Sequence, residues 1–237
     1  MAPKVETITI ERRFRGPPES GNGGYSCGRA ATFVDGVAKV VLRAPPPLET
    51  PLAVERADGT VRFTHDGTLV MEAKRGTFDV DPPRTVSLEQ ARAATAPPEF
   101  FTDHVFPYCF VCGPSREEGD GLRIFAGKVA GRDEMATVWT PHDSLAGSDG
   151  FVRSEFLWAA LDCPTAWTAF ESNPTGHVIM LGTMIGEVVR GARAGEPIVV
   201  TAEARGAEGR KHIAASALYT PDGELVARAE TIWIALT

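Results

Sequence analysis

The unbroken apolar run from Phe156 to Leu161 departs from the pattern of apolar and polar positions in the rest of the chain. Around it, apolar and polar residues alternate over short stretches between glycine and proline turns, which is the pattern of β-strands. The run itself is apolar on every side, and a helix of that kind belongs in a core. The segment Asp149–Phe170 therefore predicts a buried helix wrapped by sheet, and the fold class is expected to be α+β.

The alternating stretches predict two series of strands, each with one helix. The first series comprises a strand at Val5–Phe14, a helix at Tyr25–Val34, and strands at Val37–Leu42, Leu52–Ala57, Val61–Thr64 and Thr68–Lys74. The second comprises strands at Leu122–Val129 and Met135–Trp139, the buried helix, a turn at Asn173–Gly176, and strands at His177–Val189, Ile198–Arg205, His212–Tyr219 and Leu225–Leu236.

A polar, proline-bearing stretch, Lys74–Pro98, separates the two series and holds only a short predicted helix at Leu88–Ala94. Such a stretch is typical of a domain boundary. The order of strand, helix and strands on both sides fits duplication of a unit of about 100 residues. We expect a first unit with its linker at 1–95 and a second unit at 96–237.

Composition and charge exclude several classes of partner. The net charge of -7 argues against a general nucleic-acid binder. No apolar run approaches the roughly 20 residues that span a bilayer, and the first residues lack the apolar core of a signal peptide. Four cysteines among 237 residues are too few for a disulfide scaffold. We therefore expect a cytoplasmic protein with neither nucleic acid nor membrane as its partner.

Asp162, directly after the apolar run, is the first candidate for chemistry. A carboxylate in that setting loses hydration and needs a partner or a function. In one interpretation Asp162 is a catalytic group; in the other it is the N-cap of a second short helix, Pro164–Phe170, because proline is favoured in the first turn of a helix. Glu155 lies two turns earlier on nearly the same face, where it either shares the site or is solvated.

The glycine-rich segment Asn22-Gly23-Gly24 is the second candidate site. At the start of a helix its N–H groups would be left uncovered and could bind an anion or a carbonyl; a turn without a ligand is the alternative. Cys109 and Cys112 have the spacing of metal ligands, but a zinc site needs four ligands, and the sequence has neither a second such pair nor paired histidines. We expect a structural thiol pair and no metal.

Three segments resemble the hotdog-fold superfamily of acyl-CoA thioesterases. Phe14–Ala31 resembles the glycine-rich entry to the central helix, Cys109–Phe125 resembles the opening of many small hotdog thioesterases, and Trp158–Pro164 resembles the Leu-Asp segment of the central helix. The resemblance implies two tandem hotdog units, each a curved antiparallel sheet around a central helix. It also implies a thioester site between them, with glycine amides polarising the carbonyl and an acid of the facing helix acting as base or nucleophile.

The two halves depart from that pattern in complementary ways. The first helix has the glycines but no acid, whereas the second has Asp162 but carries the bulky Arg153-Ser154-Glu155 where the glycines would fall. A single composite site is implied. Its expected catalytic groups are Asp162, Gly24 and Tyr25, and its expected substrate-binding residues are Asn22, Gly23, Glu155 and Trp158.

The resemblance implies a thioester hydrolase that acts on acyl-CoA or another acyl thioester, needs no cofactor and, by analogy, assembles as a homodimer. Two alternatives stay open. A hotdog dehydratase or hydratase usually requires an Asp/His pair, and the second helix has no histidine. A non-catalytic acyl-thioester binding protein would explain why each half lacks one part of the motif.

Overall fold

The computed structural model describes residues 6–101, 103–171 and 178–236, and their strands form a single eleven-stranded sheet with antiparallel pairing between neighbours. The strands are β1 (Thr7–Ile8), β2 (Ala38–Leu42), β3 (Leu52–Ala57), β4 (Thr60–His65), β5 (Thr68–Arg75), β6 (Gly127–Lys128), β7 (Met135–Trp139), β8 (Ile179–Val188), β9 (Ile198–Glu208), β10 (Lys211–Tyr219) and β11 (Leu225–Ala235). The helices are α1 (Gly23–Ala31), α2 (Leu88–Ala94) and α3 (Ser154–Glu171), with 3₁₀ turns at Arg12–Phe14, Pro98–Phe101 and Asp143–Leu145. The α+β fold class is confirmed.

The strands of the two halves of the chain occupy separate parts of the sheet. Its order is β1-β3-β4-β5-β2-β8-β11-β10-β9-β7-β6, so β2 and β8 join the two parts. At this joint Ala38 to Val41 pair with Gly186 back to Thr183. The strands at the two ends, β1 and β6, have two residues each, which limits the edge available for pairing with other chains.

The two helices at the centre of the molecule contact each other and the sheet. α3 packs against the second-half strands from β7 to β11, and α1 packs against β2, β5 and β8. The apolar run of α3 is fully buried between α1 and these strands, as its all-round apolar pattern predicts. Among the described residues, no helix has the length and apolar character needed to cross a membrane.

Two glycines, Gly24 and Gly28, allow α1 to approach α3 closely. They lie four residues apart on one face of α1. A Cβ at Gly24 would come within 2.4 Å of the Asp162 Cβ, and one at Gly28 within 2.7 Å of the Glu155 Cα. Both distances are shorter than van der Waals contact, so only glycine fits at these positions.

α3 continues through Pro164 instead of ending before it. A proline inside a helix removes one hydrogen bond and crowds the carbonyl four residues earlier. Two nearby carbonyls gain side-chain donors, since the Ser216 hydroxyl donates to the Leu161 carbonyl at 2.6 Å and the Thr165 hydroxyl donates to the Asp162 carbonyl at 2.6 Å. The interpretation of Asp162 as the N-cap of a second helix is therefore wrong.

Most other predicted elements agree with the structure, with two exceptions. The predicted strand Val5–Phe14 is reduced to β1 followed by a 3₁₀ turn, because the Phe14 N–H bonds the Glu11 carbonyl and the Phe14 ring turns into the core. The predicted strand Leu122–Val129 keeps only β6, because the Leu122 N–H bonds back to the Phe110 carbonyl. Val5, the turn at Asn173–Gly176 and His177 lie outside the described residues.

The proline-bearing stretch between the two series lies along the strands of the second half. The Tyr219 hydroxyl donates to the Pro83 carbonyl at 2.5 Å, and the backbone N–H groups of Asp79 and Val80 donate to the Glu230 carboxylate. α2 packs against β7. A boundary between residues 95 and 96 remains a prediction.

Candidate active site

A cavity of about 680 Å³ opens beside the contact between α1 and α3. Its walls come from the entry to α1, the loop after β2, the segment 103–112, one side of α3, the start of β8 and the end of β11. Most of the lining side chains are apolar, and the polar ones include Asn22, His104 and Asp162. Apolar cavities of this size with a few convergent polar groups are typical of small-molecule sites.

Asp162 is the buried carboxylate of this cavity, with 1% of its surface exposed. Its Oδ2 accepts a hydrogen bond from the Asn22 Nδ2 at 2.8 Å. The Gly24 N–H faces the same carboxylate without the geometry of a full hydrogen bond, and Oδ1 has no partner among the described residues. A buried oxygen without a partner is costly in a structural carboxylate, so it marks a position where a ligand or a water proton can be accepted.

Burial raises the pKa of the Asp162 carboxyl to about 7. The Gly24 N–H lowers the pKa, the negative charge of a Cys109 thiolate raises it, and the hydrogen bonds from Asn22 and Cys163 lower it. Loss of hydration is therefore only partly offset by the neighbouring donors. The environment of this carboxyl is that of a group that can take up and release a proton.

Asn22 connects the start of α1 to the carboxylate. As the N-cap of α1, it accepts the Tyr25 N–H with its Oδ1 at 2.9 Å, while its Nδ2 donates to Asp162. The first four N–H groups of a helix have no partner within the helix. Asn22 takes that of Tyr25, the Gly24 N–H faces Asp162, and the Gly23 N–H remains at the cavity wall.

Tyr25 lies in an aromatic cluster and not at the cavity. Its ring stacks on Phe14 with centroids 4.2 Å apart and lies 5.7 Å from the Phe156 ring, and its residue surface is 2% exposed. The backbone N–H that was expected to polarise a carbonyl is already bonded to Asn22. The local role of Tyr25 is to anchor α1 in the core.

Glu155 and Trp158 lie where α1 crosses α3, away from the lining of the large cavity. The Cβ atom of Trp158 and the backbone of Glu155 face Gly28, and the Trp158 ring lies over Gly186 of β8. The Glu155 carboxylate lies 3.9 Å from the Arg153 guanidinium. The structure thus brings Asn22, Gly23 and Asp162 to one cavity and places the other two residues in the helix contact.

Three cysteines converge on the wall of the same cavity. The Sγ atoms of Cys109, Cys112 and Cys163 all lie within 4.8 Å of one another, and all three residues are buried. The Sγ atoms of Cys109 and Cys163 are 3.7 Å apart. Hydrogen bonds from the thiols of Cys112 and Cys163 lower the pKa of Cys109 well below its usual value. Cys109 is therefore the thiol of the cluster that loses its proton most readily.

The segment that carries Cys109 and Cys112 is fixed by Arg116. This guanidinium is buried and donates to the Tyr108 carbonyl at 2.9 Å and to the Arg13 carbonyl at 2.6 Å. It also pairs with the Asp120 carboxylate at 2.8 Å. The turn between the two cysteines is therefore held by charge-assisted bonds to two separate parts of the backbone.

Sequence motifs reveal neither Cys163 nor His104 as a neighbour of the Cys109–Cys112 pair. Cys163 is 54 positions from Cys109, and only the packing of α3 against the 103–112 segment brings it to the pair. His104 is near in sequence, with its Nε2 3.2 Å from the Cys112 Sγ, but it does not have the spacing of a recognised ligand motif. The role of Asn22 as a donor to Asp162 was likewise not predicted, because the two residues are 140 positions apart.

Comparison with known proteins supports the architecture. No protein-family model matches the chain, and comparison with curated protein sequences finds no match. Among solved structures, the chain is similar to the tesB protein of Mycobacterium avium subspecies paratuberculosis, with a TM-score of 0.60 and 13% identity over 92% of this chain and 88% of that one. It is also similar to an acyl-CoA thioesterase II of Mycobacterium marinum, with a TM-score of 0.58 and 15% identity over 97% and 92% of the two chains.

A third similar structure is described by its fold alone. It is a protein of unknown function with a hotdog fold from Alicyclobacillus acidocaldarius, with a TM-score of 0.57 and 14% identity over 100% of this chain and 95% of that one. These likenesses extend over nearly the whole length of each chain, which confirms the hotdog fold that the sequence resemblance implies. The chain therefore has a hotdog fold with a large antiparallel sheet.

Proposed function

We propose that this protein hydrolyses an acyl thioester, of which acyl-CoA is the leading candidate, with Asp162 as the general base. The observation that carries the proposal is the Oδ1 atom of Asp162, a buried carboxylate oxygen without a hydrogen-bond partner among the described residues, in a residue that lines a mainly apolar cavity. An acyl-CoA thioesterase II of the same fold is among its structural neighbours.

The cavity fits the acyl part of such a substrate. Its volume of about 680 Å³ lies within the range of about 300–1,000 Å³ typical of small-molecule sites. Ala166, Leu181 and Trp233 are among the apolar residues of its wall. An acyl chain entering it would exchange water for apolar contacts, which favours binding.

Asp162 and the start of α1 supply the two functions that thioester hydrolysis requires. In the proposed reaction, Oδ1 takes a proton from a water molecule whose oxygen attacks the thioester carbonyl carbon. The Gly23 N–H, at the positive end of α1, faces the negative charge that develops on the carbonyl oxygen. When the carbon–sulfur bond breaks, the leaving thiolate takes the proton from Asp162, and the free acid and the thiol are released.

This assignment differs from the sequence expectation in its amide donors. Gly24 and Tyr25 were expected to polarise the carbonyl, but their N–H groups face Asp162 and Asn22. We therefore assign the polarising role to Gly23, and we assign Asn22 a positioning role, because it bonds one carboxylate oxygen and leaves the other available. Glu155 and Trp158 receive no substrate contact in this proposal.

The proposal includes two hotdog units in one chain, with α1 and α3 as their central helices and the first unit ending near residue 95. The separate positions of first-half and second-half strands in the sheet support this division. It also includes a homodimer, by analogy with the oligomers that proteins of this fold often form. Light scattering at micromolar concentration tests the dimer, and a strict monomer would contradict it.

The experiment that tests the function is a panel of acyl-CoA substrates of different chain length, assayed for release of free CoA. On the best substrate, Asp162→Asn is expected to lower kcat by about 100-fold or more, the effect expected when a general base is lost. Asp143→Asn serves as the matched control, because Asp143 is exposed in a 3₁₀ turn and should leave activity unchanged.

Three results would count against the proposal. Equal rates for Asp162→Asn and the parent would remove Asp162 as the base. Saturable binding of acyl-CoA without release of CoA would support the non-catalytic binding protein. Hydration of an unsaturated acyl-CoA with the thioester intact would support the hydratase.

A further inference from the structure

We propose that Cys109, Cys112 and Cys163 bind one thiophilic divalent metal ion, with zinc as the preferred ion. Zinc bonds cysteine sulfur at about 2.3 Å in tetrahedral geometry, which places two sulfur ligands about 3.8 Å apart. The Sγ atoms of Cys109 and Cys163 are 3.7 Å apart, and all three sulfurs lie within 4.8 Å of one another. This inference stands without the proposed thioester hydrolysis.

The three sulfurs come from two parts of the fold that are both well fixed. Cys109 and Cys112 lie in the turn held by Arg116, and Cys163 lies in α3. Gly113 completes the turn, since a Cβ there would come within 2.5 Å of the Cys109 carbonyl oxygen. Ligands on rigid supports lose little conformational freedom when a metal binds, which favours a preformed site.

A polar side chain faces two of the three sulfurs. The Asn22 Nδ2 lies 3.8 Å from the Sγ of Cys109 and 3.9 Å from the Sγ of Cys163, so its N–H groups point towards the sulfurs as well as Asp162. Buried cysteines that only fill space behave as small apolar residues and need no such donor. Hydrogen-bond donors that face ligand atoms help to orient those ligands around a metal ion.

His104 supports the cluster as a hydrogen-bond donor. Its Nε2 lies 3.2 Å from the Cys112 Sγ, while its Nδ1 accepts the Phe106 N–H at 2.9 Å. Because Nδ1 is the acceptor, the proton of the neutral ring is on Nε2 and points to the Cys112 sulfur. With three protein ligands, the fourth position of the ion faces the cavity that all three cysteines line. An ion with three protein ligands and one open position has the arrangement of an exchangeable site.

A disulfide is the main competitor for these cysteines. It requires an S–S distance of about 2.05 Å, so Cys109 and Cys163, at 3.7 Å, would have to move together and transfer two electrons to an oxidant. It would also leave the Cys112 sulfur without a role. The metal uses all three sulfurs and requires no oxidant.

The test uses the full chain, purified under reducing conditions, stripped with a chelator and titrated with Co²⁺ and then Zn²⁺. We expect the near-ultraviolet charge-transfer band of thiolate-bound cobalt, the visible bands of a four-coordinate ion, saturation at one ion per chain, and loss of both signals when zinc is added. Elemental analysis after dialysis should find one zinc per chain.

Single alanine variants of Cys109, Cys112 and Cys163 should each lower zinc affinity by at least tenfold, since each removes one of three thiolates. Cys27→Ala is the matched control, because Cys27 is buried in α1 and lies outside the cluster, and it should bind zinc as the parent does. Absence of a thiolate–cobalt band in the parent would overturn the proposal whether or not the variants fold. So would equal zinc affinity in Cys163→Ala and Cys27→Ala, or a protein mass showing a disulfide after purification with reductant.

Discussion

The two halves of the sheet bury different kinds of chemical groups. In the described part of the first half, the buried polar side chains are Ser20, Asn22 and Ser26, all at the entry to α1. Beyond residue 100 they are more numerous and include ionisable groups: Arg116, Glu134, Thr137, Asp162, Thr165, Thr168, Thr201, His212, Ser216 and Thr231. The first half thus contributes backbone N–H groups and glycines to the helix contact, and the second half contributes polar side chains. Substitutions in the first half should act through steric contact, and those in the second through unpaired buried polar groups.

The largest loss of stability is expected from Gly28→Ala in α1. Its Cβ would come within 2.7 Å of the Glu155 Cα, an atom that cannot rotate away, so the two helices must separate. Overpacking of this kind costs about 3 kcal/mol or more, although alanine is by itself the better helix former by about 1 kcal/mol. Urea denaturation of the variant and the parent measures the difference in the free energy of unfolding.

Gly23→Ala provides the control in the same helix. Its Cβ would come within 2.8 Å of the Leu181 Cδ2, which can move by a change of rotamer, and 3.0 Å of the Leu181 Cβ, which needs only a small shift of that residue. We expect this substitution to lower the free energy of unfolding by about 1 kcal/mol or less. Equal losses for the two variants would mean that the helix contact is no tighter than its surroundings.

The second prediction removes a buried charge in the second half, with Glu134→Gln. Glu134 accepts two hydrogen bonds from Arg132, at 2.7 and 3.0 Å, and this partner lowers the pKa of the Glu134 carboxyl to about 2. At neutral pH the variant should unfold about 2 kcal/mol more easily, since the pair loses its charged hydrogen bonds. Because the folded pKa is lowered, this contribution is complete above about 4.5 and is lost as the pH falls towards about 2.

Denaturation curves of parent and variant between these pH values should therefore converge on acidification. Glu72→Gln in the first half is the control, since its ion pair with Arg43 is partly exposed and should contribute about 1 kcal/mol or less. A constant difference across the pH range would show that Glu134 acts through packing and not through its charge.

The third prediction concerns Thr165, which lies beside Pro164 in α3. Its hydroxyl donates to the Asp162 carbonyl at 2.6 Å and accepts the Trp233 Nε1–H at 2.8 Å. Thr165→Val keeps the shape but leaves the buried indole N–H without that partner, at a cost of about 1.5 kcal/mol. Thermal unfolding should show this loss.

Thr32→Val is the matched control for this prediction. The Thr32 hydroxyl also donates to a carbonyl three residues earlier, that of Arg29 at 2.8 Å, but it is exposed at the end of α1. Water can take the place of the Thr32 hydroxyl at the Arg29 carbonyl, so we expect the free energy of unfolding to change by about 0.5 kcal/mol or less. A loss at Thr32 as large as that at Thr165 would contradict the contrast between the two halves.

The last prediction, Asn22→Ser, tests the link between the two helices. Serine still caps α1 through its hydroxyl, so the change in capping should cost only about 0.5 kcal/mol, and loss of the donor to the buried Asp162 carboxylate should cost about 1 kcal/mol more. The donor to the Asp162 Oδ2 is lost, and on the proposed function kcat should fall about tenfold with little change in KM. Asn22→Ala should lose the cap as well, which costs about 1 kcal/mol more. An unchanged kcat in Asn22→Ser would limit Asn22 to capping.

The sequence predicts the parts of this fold that depend on local patterns. These parts include the apolar run of α3, the strands β3 and β4 and the short helix α2. The continuity of α3 through Pro164 does not follow, because local propensity favours a break at a proline. The helix there is packed against β8 to β11, and Ser216 of β10 donates to the Leu161 carbonyl, contacts that a local pattern cannot reveal.

The candidate site divides in the same way. Asp162 and the glycine-rich start of α1 could be predicted, because an acid after an apolar run and bare amides at a helix start each have a chemical meaning within a few residues. The loss of the Tyr25 N–H to its own cap and the approach of Cys163 to Cys109 could not, because both depend on side-chain orientations set by packing. Motif spacing detects ligands on one segment and misses those assembled from several.

The pairing of β2 with β8 has a consequence for any attempt to produce the halves separately. In the whole chain each of these strands is covered by the other along Ala38–Val41 and Thr183–Gly186. If the chain were cut within the stretch 76–98, each fragment would expose one of them as an edge, and β8 would offer ten residues whose inward side chains are mostly apolar. Exposed edges of that length are templates for pairing with other molecules. The fragments should therefore aggregate when expressed alone and recover solubility when they are expressed together, because each supplies the strand that covers the other's edge.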